Sequence, residues 1–99
     1  MPAFVIANIA VHDPENYEEY RRDSPPLTAE FGGRYLVKGG ETVSLEGDWR
    51  PNRFVLIEFA DLEQARRWYT SDRYAPLRGV RQRTADTQLL LADGFAEPH

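Results

Sequence analysis

The side chain best placed for chemistry is a carboxylate inside an apolar run. Glu58 interrupts residues 54–60, which otherwise carry apolar side chains on both alternating faces. A carboxylate on a covered face either pairs with a cation or exchanges a proton with a ligand, so Glu58 is a candidate general base. Alternation predicts that Arg34 and Lys38 share one face of the neighbouring strand. Either cation would pair with Glu58 or hold an anionic ligand.

Asn8 and His12 are the next candidates, and each has a plain structural alternative. Asn8 interrupts the apolar run 3–11, where its amide would orient a polar ligand or bond to neighbouring backbone. His12 follows this run and is a weaker catalytic candidate, or an axial haem ligand, or a loop histidine beside Asp13.

Trp68 is a candidate ligand-binding residue because of its aromatic neighbours. With Tyr69, Tyr17 and Tyr20 it would line a flat pocket for an aromatic substrate, or it would pack in the core. The helical spacing of these side chains is typical of core residues.

Composition excludes several classes of site. The chain has no cysteine, and its two histidines, His12 and His99, are far apart, so we predict no metal site and no cofactor. Sixteen acidic against twelve basic residues give a net charge of −4, which argues against a general nucleic-acid binder. The first basic residue is Arg21, and Asn8 breaks the longest apolar stretch. We therefore expect no signal peptide, no membrane span and a cytoplasmic protein.

Charge is unevenly distributed along the chain. Six arginines crowd residues 66–83, while acidic residues crowd the first third. The arginines would form a patch for phosphates or anionic substrates, or one solvated helix face lying beside an acidic one.

The elements that must position these residues follow from periodicity and capping signals. Residues 3–11, 34–38, 53–60 and 87–92 are predicted strands, with a continuation of the second strand at 42–45. Asp13 and Pro14 begin a helix whose apolar stripe keeps its phase across Ser24-Pro25-Pro26. A kink or restart capped by Ser24 is expected there, and Gly32-Gly33 ends the helix.

Two helical segments are predicted between the third and fourth strands. Asp61 and Gln64 resemble a capping box for the first, and Ser71-Asp72 would cap a short second segment. The order β-α-β-β-α-β, in one domain over residues 1–99, is that of a ferredoxin-like α+β fold with a four-stranded antiparallel sheet.

In such a fold the sheet face away from the helices should be polar where it meets water. Neither alternating face of the first and third predicted strands is polar, so something must cover the open face. A second copy is the simplest partner, and we expect a homodimer.

A set of motifs distributed over residues 3 to about 94 resembles the DUF1330 domain family. The motifs are Tyr17 and Tyr20, Pro25-Pro26-Leu27, Gly32-Gly33-Arg34-Tyr35-Leu36-Val37, Gly39-Gly40, Glu58-Phe59, Ala65, Trp68-Tyr69-Thr70-Ser71 and Tyr74 with the arginines after it. Residues 60–62 and 75–78 depart from the family pattern at the expected rim of the cleft.

The resemblance implies the dimeric α+β barrel superfamily, in which two ferredoxin-like sheets face each other and close a barrel. It implies no activity, because the family name states that none is assigned. Three functions stay open. They are a metal-free enzyme or binder for a small aromatic or anionic metabolite between sheet and helices, a non-catalytic dimerisation or stress-response module, and a haem protein using His12.

Overall fold

The computed structural model describes residues 1–95. Its elements are β1 (Ala3–Val11), α1 (Pro14–Glu30), β2 (Arg34–Lys38), β3 (Arg53–Phe59), α2 (Leu62–Thr70), α3 (Ala75–Thr84) and β4 (Ala85–Asp93). The four strands form one antiparallel sheet in the order β2-β3-β1-β4. The predicted ferredoxin-like α+β fold is confirmed, and α2 and α3 are the two helical segments predicted between the third and fourth strands.

The core lies between the helices and one face of the sheet. Along β1, alternate residues such as Val5 and Ala7 are buried, and they lie opposite the buried Ile57 and Val55 of β3. Opposed residues in adjacent strands point to the same face, so these pairs form one continuous apolar layer. Trp68 of α2 packs over it. Register therefore fixes which face of each strand meets the helices.

Helix α1 runs without interruption through both prolines, as the continuous phase of its apolar stripe indicated, so the predicted restart at Ser24 is wrong. Asp13 caps the helix by accepting from the Asn16 backbone N–H, as predicted. Ser24 makes no capping bond. It is buried instead, and Thr28 Oγ1 donates to its carbonyl at 2.9 Å. Burial of the second half of α1 against the sheet outweighs the two backbone bonds that the prolines remove.

Two glycines end α1 and bring the chain close to the sheet. Gly32 has φ +83°, a left-handed conformation that costs other residues energy. A Cβ on Gly33 would lie 2.6 Å from Thr28 Cγ2 and 2.8 Å from Phe59 Cζ. Because Gly33 has no side chain, the end of α1 can pack closely against Phe59 of β3. Strand β2 begins at the next residue, Arg34.

The segment after β2 differs from the prediction. Residues 42–45 form no strand, and the link from 39 to 52 is irregular and exposed. Strand β4 begins at Ala85, two residues earlier than predicted, because it pairs with β1 along its whole length. Among residues 1–95, no helix is long and apolar enough to cross a membrane.

The helix caps after β3 were predicted with partial success. Asp61 caps α2 by accepting from the Gln64 N–H at 2.8 Å, but the Gln64 side chain donates to the Phe31 carbonyl instead of closing the box. Ser71 does not cap α3, which begins at Ala75. Its hydroxyl accepts from the Tyr74 N–H and donates to the Trp68 carbonyl, stabilising the turn between the two helices.

A β-bulge in β2 changes which side chains face the helices. Tyr35 lies opposite Ile57, but Val37 lies opposite Leu56 and Lys38 opposite Val55, because the register shifts between Tyr35 and Val37. Lys38 therefore faces the helices, whereas Arg34, opposite Glu58, faces away from them. The prediction that Arg34 and Lys38 share a face is wrong for this reason.

The face of the sheet away from the helices is largely apolar. Its side chains include Phe4, Ile6, Phe54, Leu56 and Leu90, of which Leu90 is 56% exposed. Antiparallel sheets that face water on one side normally carry polar residues there. We call this surface the open face.

Candidate functional site

A cleft opens between the sheet and α1. Its volume is about 40 Å³, and about 10–15 Å³ suffices for one water molecule. The aromatic rings that line it belong to Tyr17, Tyr20, Tyr35 and Trp68. Aliphatic residues of β1 and β3 form its floor, so the interior suits a compact apolar or aromatic group.

Every charged side chain that lines the cleft is basic. Arg21, Lys38 and Arg53 contribute to its walls, and no carboxylate does. Arg21 is already paired with Glu18, whereas Lys38 and Arg53 take part in none of the ion pairs formed within residues 1–95. Two cations are therefore available to a negatively charged ligand.

Two buried donors in the cleft have no partner within the described chain. Ser24 Oγ and Trp68 Nε1 both lack a hydrogen bond there, and both residues are 1% exposed. Buried polar groups are normally satisfied, and leaving one unsatisfied costs about 1–3 kcal/mol. A ligand or an ordered water with acceptor atoms would satisfy both.

Burial favours the neutral phenol of Tyr17 in the cleft and of Tyr74 beside it. Burial raises the pKa of Tyr17 to about 12, although the positive charge of Arg53 opposes part of this effect. Burial also raises the pKa of Tyr74, whose hydroxyl lies 2.7 Å from that of Tyr20. These hydroxyls can donate hydrogen bonds at neutral pH, but they do not act as bases there.

The structure places Glu58 and Arg34 outside this cleft. Arg34 Nη2 donates to Glu58 Oε1 at 2.7 Å, and both residues project from the open face. Glu58 lies beside Phe4 of β1, in a row that the helices do not cover. The predicted ion pair is therefore formed, and Glu58 does not line the cleft.

Asn8 and His12 are also outside the cleft. Of the residues that the sequence singled out, Trp68 lines it together with Tyr17, Tyr20 and Lys38, whereas Tyr69 does not. Asn8 Oδ1 accepts from the backbone N–H of Asn52 at 2.8 Å, which attaches the end of the 39–52 link to β1. His12 is exposed in the turn between β1 and α1 and lines none of the cavities found in residues 1–95. The structure therefore does not gather Glu58, Asn8 and an arginine in one pocket.

Sequence reasoning missed Arg53 as a cleft residue, and it named Lys38 as a candidate anion-binding cation but placed it on the same face as Arg34. Arg53 has the same parity as the apolar Val55 and Ile57, so alternation alone could have placed it toward the helices. Nothing in the sequence signals the bulge that turns Lys38 inward. The described residues contain no cluster of three or more side chains able to hold a metal ion.

The arginines of residues 66–83 do not form one patch. Arg67 pairs with Glu63 within α2, and Arg73 pairs with Glu30 of α1 at 2.6 Å. Arg78 donates to the Tyr69 carbonyl, and Arg81 is buried.

Comparison with known proteins identifies a family and a fold. The sequence model of the family described as "Domain of unknown function (DUF1330)" matches residues 2–95. No curated protein sequence matches the chain.

Three solved structures share the fold. RPA0582, a protein of unknown function from Rhodopseudomonas palustris, is 19% identical with a TM-score of 0.75, over 97% of this chain and 84% of its own. SnoaB from Streptomyces nogalater, a cofactor-independent oxygenase, is 16% identical with a TM-score of 0.67, over 97% of this chain and 95% of its own. HapK from Hahella chejuensis is 14% identical with a TM-score of 0.65, over 98% and 96% respectively. At these identities the likeness establishes architecture only.

Proposed function

Since the chain belongs to the DUF1330 family and has the fold of the dimeric α+β barrel superfamily, we propose a function from the chemistry of its cleft. The cleft binds a small aromatic molecule that carries an acidic group. The observation that carries this proposal is that two cations without a carboxylate partner in residues 1–95, Lys38 and Arg53, line a cleft with an aromatic interior and no carboxylate.

The contacts define the orientation of the ligand. The acidic group would meet Lys38 and Arg53, because charge-assisted hydrogen bonds are the strongest available there. The ring would lie between the tyrosines, with an acceptor atom directed at Trp68 Nε1. Lys38 is exposed and Arg53 half-buried, so side-chain rotation can widen the entrance for a ligand larger than the cavity.

The same arrangement suits a reaction without a metal. Cations and neutral tyrosine hydroxyls stabilise negative charge that develops on a bound ligand. SnoaB, which shares the fold, is a cofactor-independent oxygenase, and this supports a metal-free transformation of the ligand here. Among the residues that line the cleft no carboxylate or histidine is present to act as base, so Glu58 and His12 are not part of this site.

We further propose that the protein is a homodimer formed through the open face. The apolar side chains of β1, β3 and β4 on that face lose contact with water when a second copy covers them, which is the dominant favourable term in association. A dimer of this kind also covers the row that contains Glu58. The cleft lies on the other side of the sheet and stays accessible.

Fluorescence of Trp68 tests ligand binding directly. The chain has two tryptophans, and Trp49 is 62% exposed in the 39–52 link, so the variant Trp49→Phe leaves Trp68 as the reporter. We expect benzoate to change its emission saturably, and benzamide, which has the same shape without the charge, to bind at least tenfold more weakly. In this background Arg53→Gln and Lys38→Gln should each weaken benzoate binding about fivefold.

Arg50→Gln is the matched control, because Arg50 lies in the exposed link and lines none of the described cavities. It should bind benzoate as the parent variant does. Equal affinity for benzoate and benzamide, or no loss in the Arg53 and Lys38 variants, would contradict the proposal.

A further inference from the structure

Arg81 is a buried cation without a carboxylate partner in the described chain. It is 3% exposed, its Nε makes no hydrogen bond there, and the ion pairs within residues 1–95 do not include it. Its guanidinium lies 5.8 Å from the centre of the Tyr20 ring. A cation–π contact of this length offsets only part of the cost of burying a charge.

A polar groove of about 620 Å³ lies beside Arg81, where α3 ends and β4 begins. Besides Arg81 it is lined by Thr87, Gln82, Gln88, Asn8 and Asn52. Thr87 Oγ1 is also buried without a hydrogen-bond partner in residues 1–95. The two residues that carry these unsatisfied atoms, one of them a cation, thus line the same groove.

The groove is separate from the tyrosine-lined cleft, with which it shares only Leu89. Its one lining carboxylate is Asp86, which is exposed and does not pair with Arg81. The carbonyl end of α3 attracts Arg81, which lies in its last turn. The attraction of the helix end for Arg81 does not explain why the Thr87 hydroxyl on β4 is buried without a hydrogen-bond partner in residues 1–95.

We propose that this groove is a second binding site, specific for an oxyanion such as a carboxylate or phosphate group on a small polar molecule. Arg81 is the counterion, since a guanidinium presents parallel N–H donors that match the oxygens of such groups. Thr87 Oγ1 donates to the same anion. The side-chain amide of Gln82, in the last turn of α3, provides a donor and an acceptor for the rest of the molecule, whereas Gln88 projects from the other face of β4.

The sharpest test uses Thr87→Val, which replaces an unpartnered hydroxyl by a methyl group of similar size. We expect acetate or inorganic phosphate, titrated at constant ionic strength, to raise the melting temperature of the unmodified protein saturably. Thr87→Val should bind the anion about fivefold more weakly while melting no lower in its absence. Arg81→Met should abolish the anion effect.

Two controls separate this site from other effects. Arg83→Gln removes an exposed arginine of the same helix and should leave the anion effect unchanged. Lys38→Gln combined with Arg53→Gln removes both cations of the cleft and should leave the difference between the Thr87 and Thr87→Val proteins unchanged, so failure of the proposed cleft function and failure of this inference are distinguishable.

The relative strength of the two probes identifies the group that the site prefers. A larger effect of acetate indicates a carboxylate, and a larger effect of phosphate a phosphoryl group. Unaltered anion binding in Thr87→Val, or no effect of either anion on the unmodified protein, overturns the proposal. So does dissociation of Arg81→Met to the mass of a monomer, because Arg81 would then pair with a carboxylate of a second copy.

Discussion

Arg34 and Glu58 form an ion pair across the edge of the sheet, with Nη2 and Oε1 2.7 Å apart. The Arg34 side chain is 72% exposed and that of Glu58 28% exposed. Strand β2 is an edge strand, so solvent reaches the arginine from the side even when the open face is covered. The pair thus lies at the rim of the surface on which we expect a second copy to pack.

We predict that Glu58→Gln preserves both the fold and the dimer. Exposed ion pairs contribute less than about 1 kcal/mol to the free energy of unfolding, because water and salt screen them. A double-mutant cycle with Arg34→Gln, measured by urea unfolding, should give a coupling energy below that value. A coupling of several kcal/mol would instead place the pair inside the interface, away from water.

Two adjacent residues of β3 should respond differently to the same substitution. Leu56 faces away from the helices, whereas Val55 is buried beneath them. Leu56→Asp should give a folded monomer, because it places a charge in the proposed interface. Val55→Asp should unfold the chain, because it places an unpaired charge in the core.

Light scattering and circular dichroism together measure both outcomes. The unmodified protein should scatter at about twice the chain mass of 11.4 kDa. If Leu56→Asp keeps that doubled mass, the open face is not the interface.

Alkaline pH should destabilise the protein through its buried tyrosines. Burial raises the pKa of Tyr17 to about 12, and it also raises the pKa values of Tyr35 and Tyr74. The folded state therefore favours the neutral phenol. This stability is fully present below the ordinary tyrosine pKa of about 10 and is lost as pH rises toward 12.

The expected signature is a falling free energy of unfolding between pH 10 and 12. Each such group contributes a slope of up to about 1.4 kcal/mol per pH unit. Urea midpoints at several pH values should fall less steeply for Tyr17→Phe than for the unmodified protein. Identical slopes for the two proteins would show that Tyr17 titrates normally. Lysine titration adds little to the pH dependence in this range, because Lys38 is the only lysine.

Local signals in the sequence predicted the elements well. The apolar run 3–11, the Asp13 cap and the Asp61 cap all correspond to observed features, because each depends on residues close together in the chain. The sequence indicated that α1 continues past Pro25-Pro26, but the restart capped by Ser24 that it also suggested does not occur. The continuity of the helix depends on burial against the sheet, which propensity does not include.

The candidate site was predicted less well, because it depends on contacts between distant segments. Glu58 was expected on a covered face, yet the register of β3 turns it to the open face of the single chain. The burial of Arg81 did leave a signal in the sequence. Arg81 follows Leu77 by four residues and precedes Thr84 by three, which places it on the buried side of α3.

The bulge in β2 determines whether Lys38 contributes its charge to the cleft, so that charge depends on the pairing of β2 with β3 as well as on the presence of a lysine. In a regular strand of the same sequence, Val37 would lie opposite Val55 and Lys38 would face away from the helices. When relatives are aligned, a gap displaced by one position in this strand equates a cation of the cleft with an outward-facing aliphatic residue. To compare ligand preference across the family, each residue of β2 therefore has to be matched by the β3 residue that it lies opposite. The sequence alignment alone is not sufficient.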